Sequence, residues 1–198
     1  MKKNSLRLLL AGLLSASALV AWAPIAGASE VRDASWASNS ADAQLGKYLR
    51  DCITQKRRIS VVFLVDESKS LVGNSKRPGN DPFGLRVLPM EGFVKSLVSY
   101  NEDQVDKIEM TAAIFGFGAS FVERQSWMTL DANSLDGFNQ KIKDQGNLNG
   151  DLYTRYHVAL KGAVNAFDSD PNGTDTCRIL YWFSDGEHDD NDDSGLSE

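Results

Sequence analysis

Three apolar runs limit what this chain can fold into. Ile59 to Val65, Lys107 to Phe117 (KIEMTAAIFGF) and Cys177 to Phe183 (CRILYWF) are rich in β-branched and aromatic residues. The first lacks the apolar–polar alternation of a strand with one wet face, so it predicts a central strand of a parallel sheet, covered on both faces. Between the runs, apolar residues recur at helical spacing: Met90, Phe93, Val94, Leu97 and Val98, then Leu135, Phe138 and Ile142, then a stripe of Tyr156, Ala159, Leu160, Ala163, Val164 and Phe167. Strands alternating with helices predict an α/β fold with an open, mostly parallel sheet and helices on both faces. Ser120 to Arg124, reached through a turn at Gly118, predicts a short antiparallel edge strand.

The connections carry their own signals. LVGNSKRPGNDPFGLRVL, Leu71 to Leu88, is rich in Gly, Asn and Pro and reads as a loop. Pro89 fits the first turn of the helix that follows, where a missing N–H costs least. Ser134 is placed to cap the next helix. AQLGKYLRDCI, ahead of the first strand, can form a short helix.

The N-terminus reads as an address. MKKNSLR supplies positive charge, LLLAGLLSASALVAW an apolar run and AGASE a small-residue end, so residues 1–28 form a secretory signal with cleavage after Ala28. A cut after Ala23 would leave Pro24 immediately downstream, a poor context. Residues 29–57 then form a polar lead-in and residues 58–198 a domain. No later stretch approaches the length of a membrane span, so the mature chain is read as exported, to the medium or the cell surface and envelope. With 27 Asp and Glu against 21 Lys and Arg, and a net charge of -6, a nucleic-acid backbone is not the expected partner.

An open α/β sheet collects ligands beyond the carboxyl ends of its strands. Asp66, Ser68 and Ser70 follow the first strand, Asp185 follows the last, and Thr154 opens the third helix. Such an oxygen-only set suits a hard cation: Mg²⁺ first, with Mn²⁺ or Ca²⁺ possible, rather than Zn²⁺.

These elements resemble the metal-ion-dependent adhesion site of the von Willebrand factor A domain. D-x-S-x-S after an apolar strand matches Asp66, Ser68 and Ser70; a threonine ahead of an Ala-Leu helix matches Thr154 with Ala159 and Leu160; S/T-D-G after a strand matches Asp185. The resemblance covers about Arg58 to Glu187. It implies an exported metal-dependent adhesion or protein-binding module whose partner protein donates an acidic side chain, with the loops Asn74 to Phe83 and Leu152 to Tyr153 shaping specificity. Glu67 and Lys69 stand where many relatives carry small residues, and Leu152-Tyr153 replace the usual glycine-containing pair. The family continues past the Asp-Gly loop, so the resemblance also implies C-terminal elements missing from this chain, a fragment. Export, an even pair of cysteines and the family-like neighbouring of two strands together imply a Cys52–Cys177 disulfide.

Other readings remain. EHDDNDDSG reads as a solvated acidic loop before a second ion-binding loop, for it lacks the full EF-hand pattern. An aspartate after a first strand and acids after a later one resemble haloacid-dehalogenase-like phosphatases, yet Ser68 stands where that family needs a second aspartate. The two histidines, His157 and His188, carry no zinc-protease motif, and no nucleotide-binding loop is present, so no enzyme is expected. The remaining alternative is a structural domain of a surface or envelope assembly without metal-dependent binding. Exposure of Trp36, Trp127 and Trp182 discriminates here, since clustered exposed aromatics would mark a docking surface.

Overall fold

The computed structural model describes residues 41–185, so the leader, Trp36 and the acidic EHDDNDDSG stretch lie outside the described residues. The chain divides into two units, Met1–Gln55 and Lys56–Glu198. In the first, the described residues belong to one helix, α1 (Ala41–Lys56). It bears an exposed Lys47–Asp51 ion pair of 2.8 Å at the i, i+4 spacing that lets helical side chains meet.

The second unit is built on β1 (Arg58–Asp66), β2 (Gly73–Asn74), β3 (Arg77–Pro78), α2 (Val87–Glu102), β4 (Glu109–Phe117), β5 (Phe121–Thr129), α3 (Leu135–Gln145), α4 (Tyr156–Asp168) and β6 (Cys177–Phe183). Four strands form one sheet in the order β5-β4-β1-β6. β1 pairs in parallel with β4 and with β6, and β5 runs antiparallel to β4. The sheet is thus mostly parallel with an antiparallel β5, longer than the short edge strand expected. Every residue of β1 from Ile59 onward is buried, which is what its unbroken apolar run requires.

The sheet is covered on both faces. On one, Val62, Leu64, Ala113, Phe115 and Phe117 pack against Ala159, Ala163, Ala166 and Phe167 of α4. On the other, the Phe63 ring lies 6.0 Å from Phe93 of α2, 5.8 Å from Phe138 of α3 and 5.7 Å from Tyr181 of β6. Such ring pairs add about 1 kcal/mol each beyond the area they bury.

Some local readings change. The stripe of α4 is turned from the expected one: Leu160 and Val164 are 45% and 60% exposed, and Gly162 and Ala166 are buried instead. Small residues at 159, 162, 163 and 166 bring the helix close to the sheet, and Gly162 faces the Phe121 ring. Ser134 makes no side-chain cap. Asp131 does that work, its Oδ1 accepting from Asn133 and Ser134 N–H groups at 2.9 Å each, while the Ser134 hydroxyl accepts from Asp131 N–H. Part of the loop after β1 is ordered as a 3-10 turn, Lys69–Leu71, and the β2–β3 hairpin, closed by Asn74 Oδ1 accepting from Lys76 and Arg77 N–H groups. Pro89 does lie in the first turn of α2.

Cys52 and Cys177, the only two cysteines, are both disulfide-bonded, as expected for an exported chain. Cys177 begins β6 and pairs with Ile59. Among the described residues no helix is long and apolar enough to cross a membrane. A covalent closure over so long a stretch restricts the unfolded chain, and its loss costs about 3 kcal/mol in typical domains. Cys52→Ser/Cys177→Ser is therefore expected to melt several degrees below the oxidised chain, with reductant lowering the melting point of the native chain alone. Equal melting of oxidised and substituted proteins would contradict this.

Candidate functional site

Parallel pairing puts the carboxyl ends of β1 and β6 side by side, and the polar residues after each strand meet there. Asp66 is fully buried. Its Oδ1 accepts from Ser68 N–H at 2.8 Å and its Oδ2 from the Ser184 hydroxyl at 2.7 Å. Ser184 also shares a 2.9 Å hydroxyl pair with Tyr156, at the start of α4. The Ser68 and Ser70 hydroxyls bond each other at 2.8 Å. Asp185 Oδ2 accepts from Asn80 Nδ2 at 3.2 Å. Burial raises the Asp66 pKa above the usual carboxylate range despite the bonds from Ser184 and Ser68, and the neighbouring Asp185 charge adds to the rise.

Thr154 reaches this edge through its loop. Ser68 forms a parallel bridge with Asp151, Lys69 N–H donates to Asp151 O at 2.7 Å, and Asp151 N–H donates to Glu67 O at 3.1 Å. Asp151 Oδ2 accepts from Ala119 N–H at 2.8 Å, and its carboxylate rests against Gly118, where any Cβ would collide with it. Thr154 is 3% exposed. The structure thus joins Asp66, Ser68 and Ser70 with Ser184, brings Asp185 to the same edge, and holds Thr154 on the adjoining loop. Lys69 is exposed.

Two features at this edge had no sequence signal. Glu67 is 7% exposed and forms a bidentate pair with Arg124 of β5, the Nε contact being 2.7 Å. The paired carboxylate raises the Arg124 pKa. Glu67 lies directly over Gly116, the one residue type that leaves room for it. Arg86 is the second: it pairs with Asp81 at 2.8 Å and donates to Gln145 O, Leu148 O and Asn149 Oδ1 at 2.9, 3.2 and 2.6 Å, tying the loop before α2 to the loop after α3. A guanidinium alone supplies enough donors for such a clamp.

Within the cluster the hydroxyls bond one another or the Asp66 carboxylate, and among the described residues no group of three or more His, Cys, Asp or Glu is placed to hold an ion.

No family model matches the chain, and no curated protein does. Solved structures are similar to part of it. The PilB minor pilin from Streptococcus sanguinis shares 18% identity over 65% of this chain and 30% of that one, with a TM-score of 0.47. Its D319A mutant shares 19% over 64% and 29%, at 0.46. The three N-terminal domains of the type V pili tip protein Mfa5 from Porphyromonas gingivalis share 20% over 62% and 19%, at 0.44. The chain spans under a third of each, and likenesses this distant carry no function across.

These findings correct the family assignment. No family model matches where a von Willebrand A domain was expected, and the solved structures similar to part of the chain are minor pilins and a pilus tip protein. The metal-dependent adhesion function, its magnesium and its acid-donating partner came with that family and are not carried further.

Two outcomes follow from the geometry. A methyl group at Gly116 must displace Glu67, so Gly116→Ala is expected to lose about 2 kcal/mol in denaturant unfolding, whereas Gly137→Ala on the open face of α3 should lose none. Because the folded pKa of Asp66 is raised, its contribution to stability is full below the unfolded carboxylate pKa and is lost as pH rises through the folded value. Asp66→Asn should therefore flatten the decline in melting temperature between acid and neutral pH. An unchanged profile would show that Asp66 is not the group responsible.

Proposed function

We propose that this chain is an exported, non-enzymatic structural module of a surface assembly, which docks to its neighbours through the loops at the carboxyl edge of the sheet. The observation that carries the reading is a set of large apolar side chains held in water on those loops and the first turn of α2: Phe83 is 84% exposed, Leu152 67%, and Leu85 and Leu88 57% each. The loops that carry them are tied to the polar floor. Asn80 reaches Asp185, Asp81 N–H donates to Leu71 O at 2.8 Å, and Leu152 follows the Asp151 that bridges Ser68. The floor's polar groups satisfy one another, while the rim offers apolar area that contact with another protein would remove from water.

Trp127 and Trp182 are half-buried and packed against the core, with Trp127 Nε1 donating to Ala166 O at 3.2 Å, so these two mark no aromatic docking surface and the reading rests on the loop rim. A disulfide and a secretory leader suit a module that works outside the cell. Pilus proteins among the similar structures are in keeping with the reading, which does not rest on them.

In cells that export the protein, the native chain should be recovered in the high-mass material sheared from the surface. Phe83→Asp/Leu152→Asp, placed on exposed sites and so folding normally by circular dichroism, should shift to the free fraction by about tenfold. Recovery of the native chain only as free protein, or equal incorporation of the variant, would overturn the proposal.

A further inference from the structure

At the opposite end of the sheet, away from the loop rim, a half-open cavity of about 330 Å³ lies between the end of α2, the start of β4 and the end of β5. Its floor is apolar: Ile108, Met110 and Leu130 are all buried. Its mouth is acidic. Lys107 is matched there by Glu102 at 3.0 Å, and the Glu109 carboxylate by Arg58 at 2.7 Å, which leaves Asp131 as the excess charge. Bonds from Ser134 and Asn133 N–H groups hold Asp131 below the usual carboxylate range, so it is ionised at neutral pH.

Polar side chains complete the lining. Thr111 and Asn172 line the cavity, and the Thr111 hydroxyl lies 3.5 Å from Asp170 Oδ1. Asp170 is 5% exposed, and its other carboxylate oxygen is buried without a hydrogen-bond partner. A buried, unmatched carboxylate oxygen is costly unless a donor or positive charge comes near it.

We propose that this cavity binds a primary ammonium carried on an aliphatic stem, and that in the assembly the group is the side chain of a lysine on a partner protein. The stem would cover Ile108, Met110 and Leu130, and the ammonium would meet Asp131 at the mouth. Long basic side chains divide in this way between apolar contact and a charged end. The site is separate from the loop rim, and its failure would leave the docking role of Phe83 and Leu152 untouched.

The test is titration of the ¹⁵N-labelled mature chain, followed through the backbone amides of Ile108, Thr111, Leu130 and Asn172. The probes are Nα-acetyl-lysine amide, n-butylammonium and n-butanol. Both cations are expected to give saturable shifts at these amides, with butanol about tenfold weaker. Asp131→Asn, which keeps the oxygen that accepts from Asn133 and Ser134, should weaken the cations about tenfold and leave butanol unchanged, whereas Glu123→Gln near the other end of β5 should change nothing. Raising the salt concentration should weaken the cations without any substitution. Absence of saturable shifts, equal binding of butanol, or indifference to Asp131→Asn and to salt would overturn the site. Shifts with butylammonium while the lysine amide stays silent would overturn the lysine as its source.

Discussion

A strand buried on both faces is the constraint from which this structure follows. From Ile59 onward β1 has no wet side, so both its edges must be paired and both its faces covered. β4 and β6 take the edges, α4 takes one face, and Phe93 and Phe138 bring α2 and α3 to the other. Asp66 ends the strand while still inside this core, and polar groups from distant loops must come to it. The bonds from Ser68 and Ser184 are the local answer to a carboxylate placed where water does not reach.

The fold was legible where a periodic signal coincided with a long element. The three apolar runs became β1, β4 and β6, and Val94, Phe138 and Ala163 marked helices because core contact recurs at helical spacing. Register within a helix was less legible. Leu160 and Val164 look more apolar than Gly162 and Ala166, yet close approach to the sheet favours the smaller pair. The hairpin at Gly73 to Pro78 was hidden for another reason: glycine, asparagine and proline mark turning chain, and a two-residue strand is too short to add a periodicity of its own.

At the carboxyl edge, the sequence brought the right oxygens together and attached them to a family that the comparisons do not support. D-x-S-x-S is dictated in part by local need: a buried aspartate closing a strand wants donors two residues on, and Ser68 N–H meets it. The same residues therefore serve a turn whatever else they do. Glu67 with Arg124, and Arg86 with its two loops, were out of reach because nothing in linear order marks which distant carbonyl or carboxylate a guanidinium will find. Only the absence of a side chain at Gly116 leaves a trace, and it has meaning only once Glu67 is known to lie over it.

The bond from Ser184 to Asp66 spans 118 positions along the chain. Its consequence concerns time during synthesis. β1 leaves the ribosome early, and its β6 neighbour is among the last described elements to emerge. Through that interval one side of the most apolar strand has an unfilled ladder of amides and carbonyls, the kind of surface on which chains stick to each other. Late pairing of this sort is slow because a long loop must close before any contact rewards it. The cell that makes the chain must therefore keep β1 from finding the wrong edge until β6 arrives.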